Sequence, residues 1–476
     1  MSTFGGLSIA SSGLAAARAA LEVTGQNVAN ANTEGYTRQR VNQSPLAQTA
    51  LATYSKPNSV GDGVTVTGVA RLTDTIVNAR VNSTGSAAAY WSTSAAAAST
   101  VETSLNEPNS NGLSSQLNKL WSSWQQMANH PGDVGVAGAL LSQANVVAST
   151  ISAGYTAAAD AWTAARAATV TAAGTINETA GQIADLNKTI RSLAASGGNV
   201  NNLLDQRDAA VTVLSKLTGA TSRGNADGTI DVVVGGNTLV SGVTTRKLEV
   251  AGTAAFPTSS SATAVSLVWS DTRTAVVLDG GEMAARLASL QGANATATGG
   301  VYAEAAQAYN TAATDLASKV NAVHRLGTTS TGAPGTTGTP LDFFGFQSTS
   351  GPAATNLYVV PTSVAGIAAA DGTKGNLDNT IADKIAQLGN AADSPDAGWA
   401  TYVSRIGSQS ATAAARSATS DTAASAATTA QNSVGGVDLD EETSNLVIYQ
   451  HAYQASARVI STIADVLDTL INMGAR

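Results

Sequence analysis

The chain contains no cysteine, and only 12% of its 476 residues are charged and 4% aromatic. Without cysteine there is neither a disulfide framework nor a thiolate metal site. Charge is sparse against the roughly 25% of an ordinary soluble domain, and acidic residues outnumber basic ones 33 to 25, for a net charge of -8. Phosphate backbones are gripped by clustered Lys and Arg, and no basic stripe occurs here, so no nucleic-acid partner is expected. No run reaches the roughly 18 to 20 apolar residues of a membrane span, so no membrane partner is expected either. The first basic residue is Arg18, so the positive start of a cleavable signal is missing, although Ala15-Ala16-Ala17 resembles a small-residue cleavage site. The expectation is a chain without a signal peptide. The three histidines, His130, His324 and His451, stand too far apart for a short-spaced metal site. No G-x-S-x-G elbow and no phosphate-cradling loop ending in Lys-Ser/Thr is present. Enzyme chemistry, a metal and a cofactor are all unexpected.

What fills the chain is Ala, Ser, Thr and Gly. Small side chains bury little area per helix, so long helices here must lean on lateral neighbours, and self-association is expected. A residue near Thr73 opens a helical pattern with Ile76, Val77 and Val101, broken between Asn106 and Gly112. Leu113, Leu117, Leu120, Trp121 and Trp124 form a helical stripe that stops at His130-Pro131, and long helices are expected from Val134 to Leu193 and from Asn201 to Leu217. Beyond Gly219 the pattern changes to short strands between turn residues, Ile230 to Val234 and Val265 to Trp269 among them, until Leu278. Helical spacing returns from Gly281 to Val323, then a Gly/Thr/Pro-rich loop runs from Gly327 to Pro340. Leu377 to Leu388 and Trp399 to Gln431 read as further helices. Pro45, Pro57, Gly61 and Gly63 lead into a strand at Val64-Thr65-Val66.

The fold class expected is mainly α with an inserted β domain, elongated, its N- and C-terminal helices paired in a coiled-coil-like inner domain. Residues 1–40 and 433–476 would form that terminal assembly domain. Residues 41–218 and 281–432 would form a long-helix bundle with a short β connector near 60–70, and 219–280 a small β domain projecting outward. No solenoid-length repeat is evident.

Several signals have plain readings. Asp438 to Glu442 could be paired carboxylates, but acidic residues opening a strong helical pattern cap free amides and suit the positive end of the dipole. Asn225 to Asp231 hints at a calcium loop, yet Gly228 falls at its fourth position and no Glu closes it, so a hairpin turn at Asp227-Gly228 is expected. Trp121 and Trp124 read as core. Asn82, Asn177 and Asn187 match the glycosylation acceptor pattern by chance in so Thr-rich a chain.

The most informative stretch is Asn27 to Arg38, N-V-A-N-A-N-T-E-G-Y-T-R, which stops a helix whose Leu7, Leu14, Leu21 and Val28 recur every seven residues. At the other end Leu439, Leu446, Tyr453, Ile460 and Leu467 repeat every seven, with Tyr449, Ile463 and Leu470 at offset positions. Burying four large residues yields about 6 to 12 kcal/mol. Ordering some thirty residues costs on the order of 30 to 60 kcal/mol before other contacts offset it. The first helix is therefore expected to pair with the last, and both ends to be mobile in the monomer and helical on assembly.

The Asn27 to Arg38 run resembles the signature of the axial proteins of the bacterial flagellum, the rod, hook and hook-associated proteins, through Asn27, Ala29, Asn30, Asn32, Thr33, Gly35, Tyr36 and Arg38. Asn106-Glu107-Pro108, Asn202-Leu203-Leu204-Asp205-Gln206-Arg207-Asp208, Asp342-Phe343-Phe344, Gly436 to Glu442 and Tyr449 to Ala457 are similar to stretches of the hook-associated protein 1 family, the first hook-filament junction proteins. The resemblance implies a structural protein exported through the flagellar type III apparatus and assembled as a homo-oligomeric ring at the hook-filament junction, outside the cell. Its implied partners are its own copies, hook protein, the next junction protein and an export chaperone held by the C-terminal helix. The implied inner-tube residues are Leu7, Leu14, Leu21, Val28, Leu446, Tyr449, Tyr453, Ile460, Ile463, Leu467 and Leu470. Flagellin, a cap protein, or a secreted adhesin or effector with coiled-coil ends are the alternatives, and the Asn30 to Arg38 and Asn202 to Asp208 runs argue against flagellin. Glu34 departs from the family, which often has Pro there. The short span from Phe344 to Leu357 leaves no room for the extra β-rich outer domain of many members.

Overall fold

The structure is a computed structural model that describes residues 3–46, 61, 63–257, 264–331, 341–348 and 350–474. Pro57 and the Gly332 to Pro340 part of the expected loop lie outside these residues. Helix α1 (Thr3–Ala29) leads into an antiparallel pair, β1 (Gln39–Pro45) and β2 (Val64–Arg71), bulged between Asn42 and Gln43. Four helices follow: α2 (Thr75–Leu105), α3 (Leu113–Asn129), α4 (Val134–Ala195) and α5 (Asn201–Thr218). Their ends are set by local chemistry. Asp74 accepts from the N–H groups of Ile76 and Val77, and Asp133 from those of Gly135 and Val136. Asn106 and Gly219 close α2 and α5 in the left-handed conformation.

The strands that follow are β3 (Thr221–Gly224), β4 (Ile230–Val234), β5 (Asn237–Ser241) and β6 (Thr244–Thr245), one antiparallel sheet in chain order. A second antiparallel pair joins β7 (Leu248–Ala251) to β8 (Ser266–Trp269). The expected strand at Ala275 to Leu278 is only a bridge from Ala275 to Val268. Gly228 turns the β3–β4 hairpin at φ +82, and Asp227 accepts from the Thr229 amide and hydroxyl, so the supposed calcium loop is a self-bonded turn.

The helical stretch from Gly281 to Val323 is divided into α6 (Gly281–Ser289) and α7 (Val301–His324). Between them the Glu304 carboxylate accepts from the Asn294 and Gly299 amides and holds the break open. The chain continues through β9 (Phe344–Phe346), the single turn α8 (Ala353–Asn356), β10 (Leu357–Val359), α9 (Thr380–Ala386), α10 (Pro395–Gly435) and α11 (Leu439–Gly474). β9 pairs directly with β10, and α8 is the helical turn described between them. α9 starts later than expected because Asp378 accepts from the Thr380 amide and spends the preceding residues in a turn.

α4 is the spine. Its 62 residues span about 93 Å, and two cores form along it. The first gathers Trp121, Trp124, Ile151, Trp162, Leu316, Phe343 and Trp399 from α3, α7 and the start of α10. In the second, Ile176, Ile183 and Leu214 of α4 and α5 meet Val232, Leu239, Leu267 and Trp269 of the sheets. Asn177 and Asn187 are structural: Asn177 bonds the Leu248 N–H and C=O, and Asn187 the Ile230 N–H and C=O and the Gly242 C=O. α4 is long and apolar enough by average composition to cross a membrane. Its alanines raise the average without forming a continuous run, and one face is buried in both cores. α10 lies antiparallel on α2, with Gln431 bonded to Asn78 and the Arg416 guanidinium over the Trp91 ring.

Two consequences can be measured. Gly154 of α4 faces Tyr309, and a Cβ there would fall 2.1 Å from the ring, whereas one at Gly174 meets nothing within 4 Å. Thermal melts should show Gly174→Ala stabilised by about 0.5 to 1 kcal/mol, as for any exposed helical glycine, and Gly154→Ala destabilised by about 1 to 3 kcal/mol. The second concerns His324, which is fully buried. Its Nε2 accepts from the Ala368 amide, so Nδ1–H donates to the Leu341 carbonyl. Burial holds its pKa at about 4, below the unfolded value of about 6.5. The unfolded chain therefore takes up a proton that the folded chain refuses as pH falls from 6.5 towards 4. Urea denaturation should show the stability advantage of the parent over His324→Gln narrowing across that window, by up to roughly 3 kcal/mol.

Candidate assembly site at the root of the terminal helices

α1 and α11 run antiparallel along each other. A Cβ built on Gly6 would lie 3.3 Å from Ile463 Cδ1, one on Gly13 would lie 3.3 Å from Ser456 Oγ, and Asn27 bonds Glu442 at 3.1 Å. The contact line on α1 is Gly6, Ala10, Gly13, Ala17, Ala20, Thr24 and Asn27, with the steps of four and three residues of a heptad seam. This differs from the leucine seam expected from the sequence. Leu7, Leu14, Leu21 and Val28 have the right period, but each sits one position past the contact line and is half-buried. Small residues take the line because they let the backbones approach, and the larger side chains wrap its edge.

On α11, Tyr449, Ile460, Ile463 and Leu467 are half-buried towards α1. Leu446, Tyr453 and Leu470 are exposed, Leu470 by 51%, and Val447, Ile448, Val459, Val466 and Ile471 of the same helix are exposed as well. A groove of about 560 Å³ between the two helices and β2 is lined by Gly6, Ile9, Ala10, Gly13, Val64, Ala455 and Val459.

The signature residues converge where the pair meets the body. α1 ends at Ala29, and Asn30, Thr33 and Gly35 (φ +77) turn the chain back. Asn27 is 1% exposed yet fully bonded. Its Nδ2 donates to the Gln39 carbonyl and to Glu442 Oε2, while its Oδ1 accepts from the Gln39 amide and the Tyr36 hydroxyl. Burial, with Asp205 and Glu442 nearby, pushes the Tyr36 phenol up to about 12, so the hydroxyl keeps the proton it donates. Arg38 forks onto both acidic residues of α11: Nε reaches Glu442 at 2.7 Å and the two terminal nitrogens reach Glu441 at 2.9 and 2.7 Å. That contact holds the Glu441 carboxyl below its usual range. Asp438 is the helix cap foreseen, accepting from the Asp440 and Glu441 amides. Ala29, Asn32 and Glu34 are exposed on the outer side of the turn.

The body grips the same point through α5. Gln39 exchanges side-chain bonds with Asn201 and Asn202, Asn201 also donates to the Val69 carbonyl, and Asp205 accepts from the Thr37 amide. Arg71 bridges Asp205 at 2.7 Å and Asp208 at 2.9 Å. Arg207, buried in turn, donates to Asn187 and to the Gly228 carbonyl, carrying the linkage into α4 and the sheet. Sequence reading singled out Asn27, Tyr36 and Arg38, and the run from Asn202 to Asp208, but missed that Glu441 and Glu442 answer Arg38 and that Gln39 and Asn201 join them. The available signal was one unmatched arginine in the first signature and two carboxylates opening the last helix. Among the described residues no group of three or more His, Asp or Glu is arranged to hold a metal.

Comparison with known proteins agrees with this arrangement. A family model described as flagellar hook-associated protein FlgK helical domain matches residues 98–342. Others, described as flagella basal body rod protein and flagellar basal body rod FlgEFG protein C-terminal, match 7–37 and 434–473, the two arms of the paired helices. Flagellar hook-associated protein 1 of Bacillus subtilis is 28% identical over 99% of this chain and 98% of its own length. The Escherichia coli protein of the same name is 27% identical over 98% of both. That of Salmonella typhimurium is 31% identical over 52% of this chain and 45% of its own. The fold is that of the flagellar hook junction protein FlgK from Burkholderia pseudomallei, with a TM-score of 0.62 at 17% identity, over 75% of this chain and all of the other. The chain belongs to the flagellar hook-associated protein FlgK family, a family of structural proteins of the flagellum.

Proposed function

We propose that this protein is the structural adaptor at the hook-filament junction, where copies of it form a ring between hook protein on one side and the next junction protein on the other. The observation that carries the proposal is the division of α11: its root is locked by Arg38 and Asn27, while its shaft leaves Leu446, Tyr453 and Leu470 uncovered. An apolar surface of that kind on a secreted, otherwise polar chain calls for further copies or neighbours to cover it. Leu7, Leu14, Leu21 and Val28 along the edge of α1 belong to the same inner layer, and the groove beside Val64 gives a neighbouring subunit a seat.

The protein travels through the flagellar type III apparatus before it assembles, and works outside the cell. During export the exposed stripe of α11 is a liability, and a dedicated chaperone covers it as an amphipathic helix in a groove. Immunogold labelling of flagella should place the protein at the distal end of the hook. Label along the filament shaft or at its tip would put it instead with flagellin or the cap. Cells lacking residues 1–38 of the chain should shed filament protein into the medium and lose motility, and attached filaments in such cells would refute the role.

Within one subunit the shaft of the helix pair is held only by small residues beyond its polar root, so the shaft opens locally at low cost. In the isolated chain, amides of the shaft, residues 3–24 and 446–474, should exchange faster than those of α4, and in sheared flagella they should become protected. Strong protection in a verified monomer would mean that assembly is not what completes this layer.

A further inference from the structure

We infer that Asn27 and Glu442 are a register pin: they fix the axial position of α11 against α1, which the rest of the seam leaves undetermined. The three contacts between the helices advance in step. Seven residues from Gly6 to Gly13 match seven from Ile463 back to Ser456, and fourteen from Gly13 to Asn27 match fourteen from Ser456 back to Glu442. The register is therefore uniform, but its apolar part is repetitive. From Gly6 to Thr24 no contact residue of α1 is larger than threonine, so each heptad presents the same shallow hole. Gly13 would receive Ile463 as readily as Gly6 does. A slip of one heptad costs the small-residue seam little and keeps every side chain of α11 on its own face.

Asn27 and Glu442 break that degeneracy. They are the buried polar pair at the seam, 1% and 2% exposed, and the bond between them forms only in this register. A slip would set Asn27 opposite Tyr449 or beyond the start of α11, break its bond to Glu442, and take the buried Glu442 carboxylate away from Arg38. A single polar residue at a seam position sets register in helical pairs by this penalty. Here the pin is also tied outside the pair. Asn27 holds the backbone of Gln39, and the Gln39 side chain is bonded to Asn201 and Asn202 of α5, so the position of α11 is referenced to the body.

The chain has no cysteine, so introduced pairs can be read without background. Gly13→Cys with Ser456→Cys reports the observed register, since a Cβ at Gly13 lies 3.3 Å from Ser456 Oγ, the place a cysteine sulfur would take. Gly13→Cys with Tyr449→Cys, and Gly13→Cys with Ile463→Cys, report slips of one heptad in either direction. In the purified full-length chain under mild oxidation, the in-register pair should close at least about tenfold faster than either slipped pair, the factor an unsatisfied buried polar group imposes. With Asn27→Leu and Glu442→Leu together the three rates should converge, while circular dichroism keeps the helix content of the parent. Glu442→Gln, which retains an acceptor for Asn27, should keep the preference. Three results would overturn the inference: an unchanged preference in the leucine variant, no preference in the parent, or loss of helix content in the leucine variant, which would make the pair a folding requirement.

Discussion

Buried asparagines that bond the backbone of a distant segment hold this structure in register, because its small side chains cannot. Asn27 binds the N–H and C=O of Gln39, Asn177 those of Leu248, Asn187 those of Ile230, and Asn321 accepts from the Phe343 and Phe344 amides while donating to the Phe344 carbonyl. An asparagine side chain carries a donor and an acceptor in the geometry of a peptide group, so it can replace the strand partner that a loop or edge lacks. Helices lined with Ala, Ser and Thr offer no large knobs to index one element on another. The specificity that other folds draw from shape is drawn here from a few polar contacts, each fully satisfied and each placed where two elements must not slide.

Much of this was legible from the residues, and what was hidden has a physical reason. The helical patterns opening near Thr73 and Val134, the acidic helix start at Asp438 and the change of pattern at Gly219 are local signals, and the elements begin there to within a few residues. The small-residue line by which α1 meets α11 was not legible, because apolar periodicity weighs leucine heavily and glycine and alanine hardly at all. A close helix contact selects the opposite. The Arg38 fork was invisible for a different reason: its partners lie 403 and 404 residues away in sequence, and no local pattern spans that distance. Glu442 was read as part of a helix start, and that reading is compatible with its second role, since a carboxylate in the first turn suits the dipole whether or not an arginine meets it.

The root of the helix pair differs from its shaft in kind as well as place. At the root, Arg38, Glu441, Glu442, Asp205, Arg71 and Asp208 form a chain of charge from α11 to α5, with Glu442 and Asp205 almost entirely buried. Removing one partner of such a buried pair typically costs several kcal/mol, since the other charge is left without compensation. Along the shaft, contacts are between small and aliphatic groups, and Leu446, Ile448, Leu470 and Ile471 of α11 face outward. The two regions therefore respond differently to their surroundings. Added copies can change what covers the shaft, while the root offers few alternative arrangements.

That contrast bears on how one subunit can join two unlike neighbours. A layer whose surface is apolar and repetitive tolerates small axial and angular adjustments, because dispersion contacts vary smoothly with position. A hydrogen-bonded, charged root does not, because its bonds are lost within a fraction of an ångström or a few tens of degrees. Placing the rigid element between the inner helices and α5 means that any adjustment made in the inner layer is handed to the body as a movement of the whole helix pair, not as a change within it. α5 in turn ties this root to α4, since the helix that holds Asp205 also sends Arg207 to Asn187 of α4 and to the Gly228 turn of the sheet. An adaptor needs this: compliance where it meets its neighbours, and a fixed geometry between those contacts and the domains outside them.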